Sequence, residues 1–375
     1  MKSQGWIIGT VSGIGILGLA ATSGLVMLAH RFVDELTRPH QALNDKDFQW
    51  GMPPSMPDPP SSQQRSLMFH APHGPLLCGE FWAQPQPAPT VVICHGYRVS
   101  RGQLRSVAAL EYTFGYNVLL FDFRGHGESE SVATSGGNAE VHDLQAALTV
   151  AAQQPETLPG KIILHGFSMG ASIALLSLPH PQVAAVIADS PYARLDEILS
   201  SIVHWRLTAN SSSWRPALRR LRPVFPAVAW CTVAVSRLVF RLRFGHALIA
   251  RPELGLKRWK SRSKAAIDGR YPPILLIHGM RDEMVPLSHA HRLVAAARAN
   301  NLPLEAYFVD GAGHCEAYGD DPEGYIAALQ RFVLRELGEE PNHPTPGRRQ
   351  AHAPTNPAAG SSRDSRGVSL PLPSS

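Results

Sequence analysis

Cysteine is scarce: the chain has four in 375 residues and none in a C-x-x-C spacing, so neither a redox pair nor a structural disulfide is implied. H-E-x-x-H is missing, and the paired histidines His70/His73 and His289/His291 have no Cys or carboxylate framework around them, which argues against a metal site. There is no G-x-x-x-x-G-K-[ST] phosphate loop, and nothing in the chain calls for a cofactor. Acidic residues almost vanish from one long stretch. Between positions 201 and 270, Glu253 and Asp268 stand against 15 lysines and arginines, although the whole chain carries only +5. No recognition motif for nucleic acid accompanies that basic block, so a nucleic-acid partner is not expected. Charge of either sign is missing from Trp6 to Ala29.

What is present is a pentapeptide, Gly166-Phe167-Ser168-Met169-Gly170, between a β-branched apolar run, Lys161 to His165, and a helix-like run, Ala171 to Leu178. A G-x-S-x-G between strand and helix projects the serine Oγ from a strained turn, and the helix that follows aims its positive end at that atom. A serine nucleophile needs a base, and the base needs an orienting acid. Pro273 to His278 reads as a buried strand, with Asp282 on the loop after it. Leu304 to Val309 reads as the next strand, with His314 on its following loop. In open α/β sheets, sites gather beyond the carboxyl ends of the strands, and all three residues fall there.

Three further segments complete a pattern. Thr90 to Tyr97 is a strand ending in His-Gly, Val118 to Ser129 carries D-x-R-G-x-G-x-S, and Ala188-Asp189-Ser190-Pro191-Tyr192 ends another strand. In this order the motifs resemble the α/β-hydrolase family over about residues 65–338. The resemblance implies an α/β fold with a mostly parallel central sheet, flanking helices and a helical cap insertion. It implies Ser168 as nucleophile, His314 as base and Asp282 as acid, with the backbone N–H groups of Tyr97 and Met169 as oxyanion hole. The family's G-x-x-D-x-x-V-P spacing favours Asp282 over its neighbour Glu283. His95, His165 and His278 read as packing or loop-ordering residues, and Asp122 and Arg124 as braces beside the oxyanion turn.

The organisation expected is a transmembrane anchor over 1–30 and a Pro-rich linker over 31–64. A first core segment then runs over 65–192, a basic cap over 193–270, a second core segment over 271–338 and a disordered tail over 339–375. As a helix the 24 uncharged residues would span about 36 Å, enough for a bilayer core of about 30 Å. Cleavage near Ala20-Ala21-Thr22 is the alternative, and Gly5, Gly9 and Gly13 repeat a G-x-x-x-G spacing. A single-pass location in a bacterial-type plasma membrane follows. The count of positive residues favours a cytoplasmic domain, while the short N-terminal tail is the layout of a signal anchor with the domain outside. Within the cap, Val224 to Phe240 is apolar apart from Arg237 and is flanked by Arg219, Arg220, Arg222, Arg241 and Arg243. That pattern suits either an anionic membrane surface or a plain lid.

The function expected is a membrane-anchored serine hydrolase of carboxylic ester or thioester bonds, acting on acylated, lipid-like small molecules through an acyl-enzyme. A serine peptidase and a non-catalytic interaction protein on a hydrolase scaffold are the alternatives. Dehalogenase and epoxide hydrolase chemistry are disfavoured, because those relatives place Asp where Ser168 stands.

Overall fold

The computed structural model of the protein describes residues 22–39, 51–54, 56–210, 220–259 and 271–338. Eight strands form one sheet: β1 (Gln64–His70), β2 (Leu76–Trp82), β3 (Ala88–Cys94), β4 (Asn117–Phe121), β5 (Thr157–Phe167), β6 (Val183–Asp189), β7 (Ile274–Gly279) and β8 (Leu304–Val309). Their order is β1-β2-β4-β3-β5-β6-β7-β8. The first two pairings are antiparallel and the remaining five parallel. Parallel strands covered on both faces must be apolar throughout rather than alternately, and β3, β4 and β7 are buried along their whole lengths. Within β3 the period of two still sorts the side chains: Val92 and Cys94 join one hydrophobic cluster, Val91 and Ile93 the other, on the opposite face.

The described helices are α1 (22–37), α2 (Arg105–Thr113), α3 (Glu140–Ala152), α4 (Met169–Leu176), α5 (Leu195–Asn210), α6 (Phe225–Phe244), α7 (Pro252–Lys257), α8 (Ser288–Ala299), α9 (Ala317–Asp320) and α10 (Pro322–Leu337). Between β6 and β7, α5, α6 and α7 form the cap. The crossovers carry every parallel strand in one direction, so the loops after β3, β5, β7 and β8 open at the same sheet edge.

The expected anchor and linker meet a different arrangement where they are described. Residues 6–21 lie outside the described residues, and so do the tail at 339–375 and Arg219. From Thr22 the chain is helical without a break at residue 30, and α1 continues to Thr37. Its later turns pack on the domain: Phe32 and Val33 belong to the main core cluster, Leu36 leans on it, and Ala29 is buried. Positions 29, 32, 33 and 36 have the i, i+3, i+4, i+7 spacing of a helix face, which the charges at 31, 34, 35 and 38 hide from a reading by composition. The expectation of a linker over 31–64 is therefore corrected for its described parts, α1 and the proline-rich stretch. Met52 and Met56 pack on the second core cluster, Asp58 pairs with Arg105, and β1 opens at Gln64. Proline restricts this segment to extended backbone, and its apolar side chains then cover the sheet's flank. Among the described residues, the helix long and apolar enough to cross a membrane is Arg222–Phe244 in the cap; residues 1–21 of the expected anchor lie outside them. Its Phe225, Ala229, Val233 and Phe240 are buried against the domain.

Candidate active site

β5 ends at Phe167 and α4 begins at Met169, so Ser168 alone turns the chain, at φ 51° and ψ −109°. A positive φ costs a non-glycine residue of order 1–3 kcal/mol. The Ser168 N–H donates to Asp189 O at 2.8 Å and helps hold the turn. Flanking glycines make it sterically feasible: a Cβ on Gly170 would lie 2.1 Å from Cys94 O, and one on Gly166 would lie 2.6 Å from the Ala171 backbone. The elbow is thus wedged against the end of β3.

Asp282 follows β7. Its Oδ1 accepts the N–H groups of Met284 (2.9 Å) and Val285 (2.7 Å), which leaves Oδ2 facing His314. His314 Nδ1 lies 2.7 Å from Asp282 Oδ2, and His314 Nε2 lies 2.9 Å from Ser168 Oγ. A carboxylate on one ring nitrogen places the proton there, so the other nitrogen presents a lone pair to the serine hydroxyl. Ser168, Asp282 and His314 are brought together although 114 and 32 positions separate them in sequence order. Glu283 is exposed to solvent. The buried His278 donates through Nε2 to Val285 O at 2.9 Å and lies 3.6 Å from Asp282 Oδ2, so it orders the acid's loop. Burial holds its pKa below the usual value.

Tyr97 and Met169 both line the cavity that contains Ser168. Met169 is the first residue of α4, where helix geometry leaves N–H groups without an intrahelical acceptor. The turn holding Tyr97 is fixed from beneath by His95, whose Nε2 accepts the Phe123 N–H at 2.9 Å and whose Nδ1 donates to Gly96 O at 2.7 Å. The Nε2 contact requires the neutral ring, with its proton on Nδ1, and burial pushes its pKa down to about 4. Asp122 is fully buried, accepts the N–H groups of Arg101 (2.7 Å) and Glu128 (3.0 Å) and pairs with the Arg101 side chain. Arg124 grips Asp143 in a bidentate pair. Beyond the serine the cavity wall is apolar, with Leu195, Ile198, Leu199 and Ile202 from α5, and Leu248 and Met284.

Two parts of the site escape sequence reasoning. One is Leu36 of α1, which lines the same cavity. The other is a buried polar chain on the far side of the elbow. His165 Nδ1 meets Glu111 Oε1 at 2.7 Å, and its Nε2 meets Tyr325 Oη at 3.2 Å. Tyr325 donates to Asp189 Oδ2 at 3.2 Å, Ser190 donates to Asp189 Oδ1 at 2.9 Å, and the Cys315 N–H donates to Ser190 Oγ at 3.0 Å. The chain ends on the residue after His314 and on the strand end that holds Ser168. Burial raises the Asp189 carboxyl to about 6. The signal available beforehand was a carboxylate closing an otherwise apolar buried strand. Burial also holds the Cys315 thiol well above its ordinary pKa, against a role as a reactive thiolate. Among the described residues no group of three or more His, Cys, Asp or Glu is placed to hold a metal ion.

A sequence model of the alpha/beta hydrolase family matches residues 91–328. The protein YqkD of Bacillus subtilis is 29% identical over 253 residues, which cover 66% of this chain and 72% of that one. A monoacylglycerol lipase of Mycolicibacterium smegmatis is 25% identical over 262 residues, covering 66% of this chain and 89% of the lipase. Among solved structures, a Pyrococcus furiosus esterase superposes with a TM-score of 0.54 at 22% identity, covering 76% of this chain and 98% of the esterase; this likeness bears on the fold alone.

Proposed function

The chain belongs to the alpha/beta hydrolase family, and we propose that it is a serine hydrolase of carboxylic ester or thioester bonds with an apolar acyl group. The observation that carries this reading is the unbroken line from Asp282 through His314 to Ser168, opening into a cavity with apolar walls. Ser168 Oγ attacks the acyl carbonyl while His314 Nε2 takes its proton. The same proton then goes to the leaving alcohol or thiol as the bond to it breaks. Water enters, gives a proton to His314 and attacks the acyl-enzyme, which releases the acid and restores Ser168. Asp282 fixes the ring and stabilises its cationic form. The N–H groups of Tyr97 and Met169 receive the oxyanion, an interaction whose loss typically costs about 10²–10³ in rate. The lipase among its relatives supports an acyl-glyceride type of substrate. Labelling by a fluorophosphonate probe, together with turnover of p-nitrophenyl esters, tests the reading: Ser168→Ala should abolish both and leave the circular dichroism unchanged. Labelling that survives in Ser168→Ala would overturn it.

We read the cap and α1 as the membrane-facing side. Val26, Met27, Trp205, Trp230, Leu238 and Leu242 are exposed large apolar side chains, all on α1, α5 and α6. Trp230, Arg237 and Arg241 follow an i, i+7, i+11 spacing along one exposed stripe of α6. Apolar side chains interleaved with arginine suit an anionic lipid surface. α1 continues the uncharged run that begins at Trp6, which would place the anchor beside this face. The anchor itself is tested by carbonate extraction of membranes from cells making the full chain; release of the protein into the soluble fraction would sink it.

A further inference from the structure

The last two turns of α1 lie where a tether would not. Leu36 lines the cavity that holds Ser168, as do Leu195, Ile198, Leu199 and Ile202 of α5. The helix end is tied to the cap and to the oxyanion turn at once. Glu35 meets the guanidinium of Arg206, on α5, at 2.5 and 2.6 Å, and Arg98, next to Tyr97, at 3.3 Å. The Arg206 hydrogen bond, foremost, holds the Glu35 carboxyl below its usual pKa. Asp34 pairs with Arg243 of α6. The Tyr97 hydroxyl donates to Glu35 O (3.3 Å) and Leu36 O (3.0 Å). Those carbonyls belong to the final turn of α1, where helix geometry runs short of intrahelical donors and the Arg38 N–H reaches Glu35 O only at 3.5 Å, so the tyrosine helps cap α1 while α1 holds the tyrosine.

From this arrangement we propose that α1 is part of the acyl-binding site: Leu36 sets the chain length accepted, and the Glu35–Tyr97 contacts position the oxyanion turn. The proposal rests on the hydrolase reading above for its kinetic consequences, but not for its binding consequence. Leu36 is a specificity-determining residue because its side chain occupies the volume into which an acyl chain extends from Ser168. Tyr97 contributes twice. Its main-chain N–H is the oxyanion donor, and its side chain ties that N–H to a helix anchored by ion pairs on two cap helices.

The test uses the full chain. For Leu36→Trp the ratio of kcat/KM on p-nitrophenyl decanoate to that on the acetate should fall at least about tenfold, the scale on which apolar pockets discriminate. For Leu36→Ala the preferred chain should lengthen. Decanoate binding by calorimetry should weaken in Leu36→Trp in parallel, a readout that needs no turnover. Tyr97→Phe should lower kcat on the acetate about tenfold with little change in KM, because the donor loses its fixed position while the pocket keeps its shape. Glu35→Gln should show the same split more weakly. A purely structural role would lower Tm without that split. Unchanged chain-length ratios in both Leu36 variants, or wild-type decanoate binding in Leu36→Trp, would overturn the wall. An unaltered kcat in Tyr97→Phe would overturn the clamp. A wild-type protein that neither takes up the fluorophosphonate nor turns over ester, yet binds decanoate less well as Leu36→Trp, would instead remove the hydrolase reading and keep the wall.

Discussion

Gly170→Ala isolates the fit between the elbow and the oxyanion turn. The new Cβ would sit 2.1 Å from Cys94 O, 2.5 Å from Cys94 C and 2.6 Å from His95 O, all of them main-chain atoms. Reaching even 3.0 Å requires the end of β3 and the start of α4 to part by about 0.9 Å. Neither side gives way easily, since Cys94 and His95 are fully buried and α4 is packed into the main core. Overpacking of this kind costs about 1–3 kcal/mol, or roughly 2–12 °C in Tm for a domain of this size. The same separation displaces the turn carrying Tyr97 from Ser168, and a misplacement of about 1 Å costs on the order of 10² in rate. The second-order rate of fluorophosphonate labelling, read beside a thermal melt, should therefore fall about a hundredfold. Gly255→Ala is the control, because its Cβ would meet only Leu176 Cδ2 at 3.8 Å, an ordinary contact. Wild-type labelling and wild-type Tm in Gly170→Ala would refute the reasoning.

Asp282→Asn should cut kcat by about 10⁴, as loss of the orienting acid does in Ser-His-Asp triads, while Glu283→Gln should stay near wild type because Glu283 is exposed. Steady-state kinetics on a p-nitrophenyl ester decide it, and a reversed order would reassign the acid. His95 has a folded pKa of about 4 against an ordinary 6.5, so the unfolded chain takes up the proton first. Its stabilising contribution is present above 6.5 and is lost as pH falls toward 4, at up to about 1.4 kcal/mol per pH unit. Denaturant melts across that window should show the slope, and His95→Gln should flatten it. His289, pushed down to about 4 by burial and then by Arg292, acts in the same direction. Anionic vesicles should bind the full chain at low salt more strongly than neutral ones, by about 1 kcal/mol per engaged arginine, and Arg220→Gln with Arg222→Gln should weaken flotation with them. Equal flotation of variant and wild type would leave the cap as a plain lid.

The sheet and the elbow were open to a reader of the sequence because parallel strands buried on both faces must be continuous apolar runs: Ser168 and Asp282 lie on the turns past two such runs, β5 and β7, and His314 on the loop past β8, the half-buried edge strand. Ser168, Asp282 and His314 could be placed on those loops from the chain alone, since a loop at a strand's carboxyl end is a local property, and the family's motif order and spacing supplied their roles. What local pattern could not express was contact across long separations. The Leu36 carbonyl lies against the Tyr97 hydroxyl 61 positions later, and the Glu35 carboxylate against Arg206 171 positions later. The His165 ring reaches Tyr325 160 positions away. Composition divided residues 1–64 into an uncharged run and a Pro-rich stretch, which reads as anchor and spacer. Tertiary packing decided otherwise for the described part, because the face formed by Ala29, Phe32, Val33 and Leu36 finds burial only against the cap and core that the rest of the chain builds. The cap's long apolar helix shows the same division: its composition permits a membrane span, and which of its side chains face the protein and which remain exposed depends on what α1 and α5 already cover.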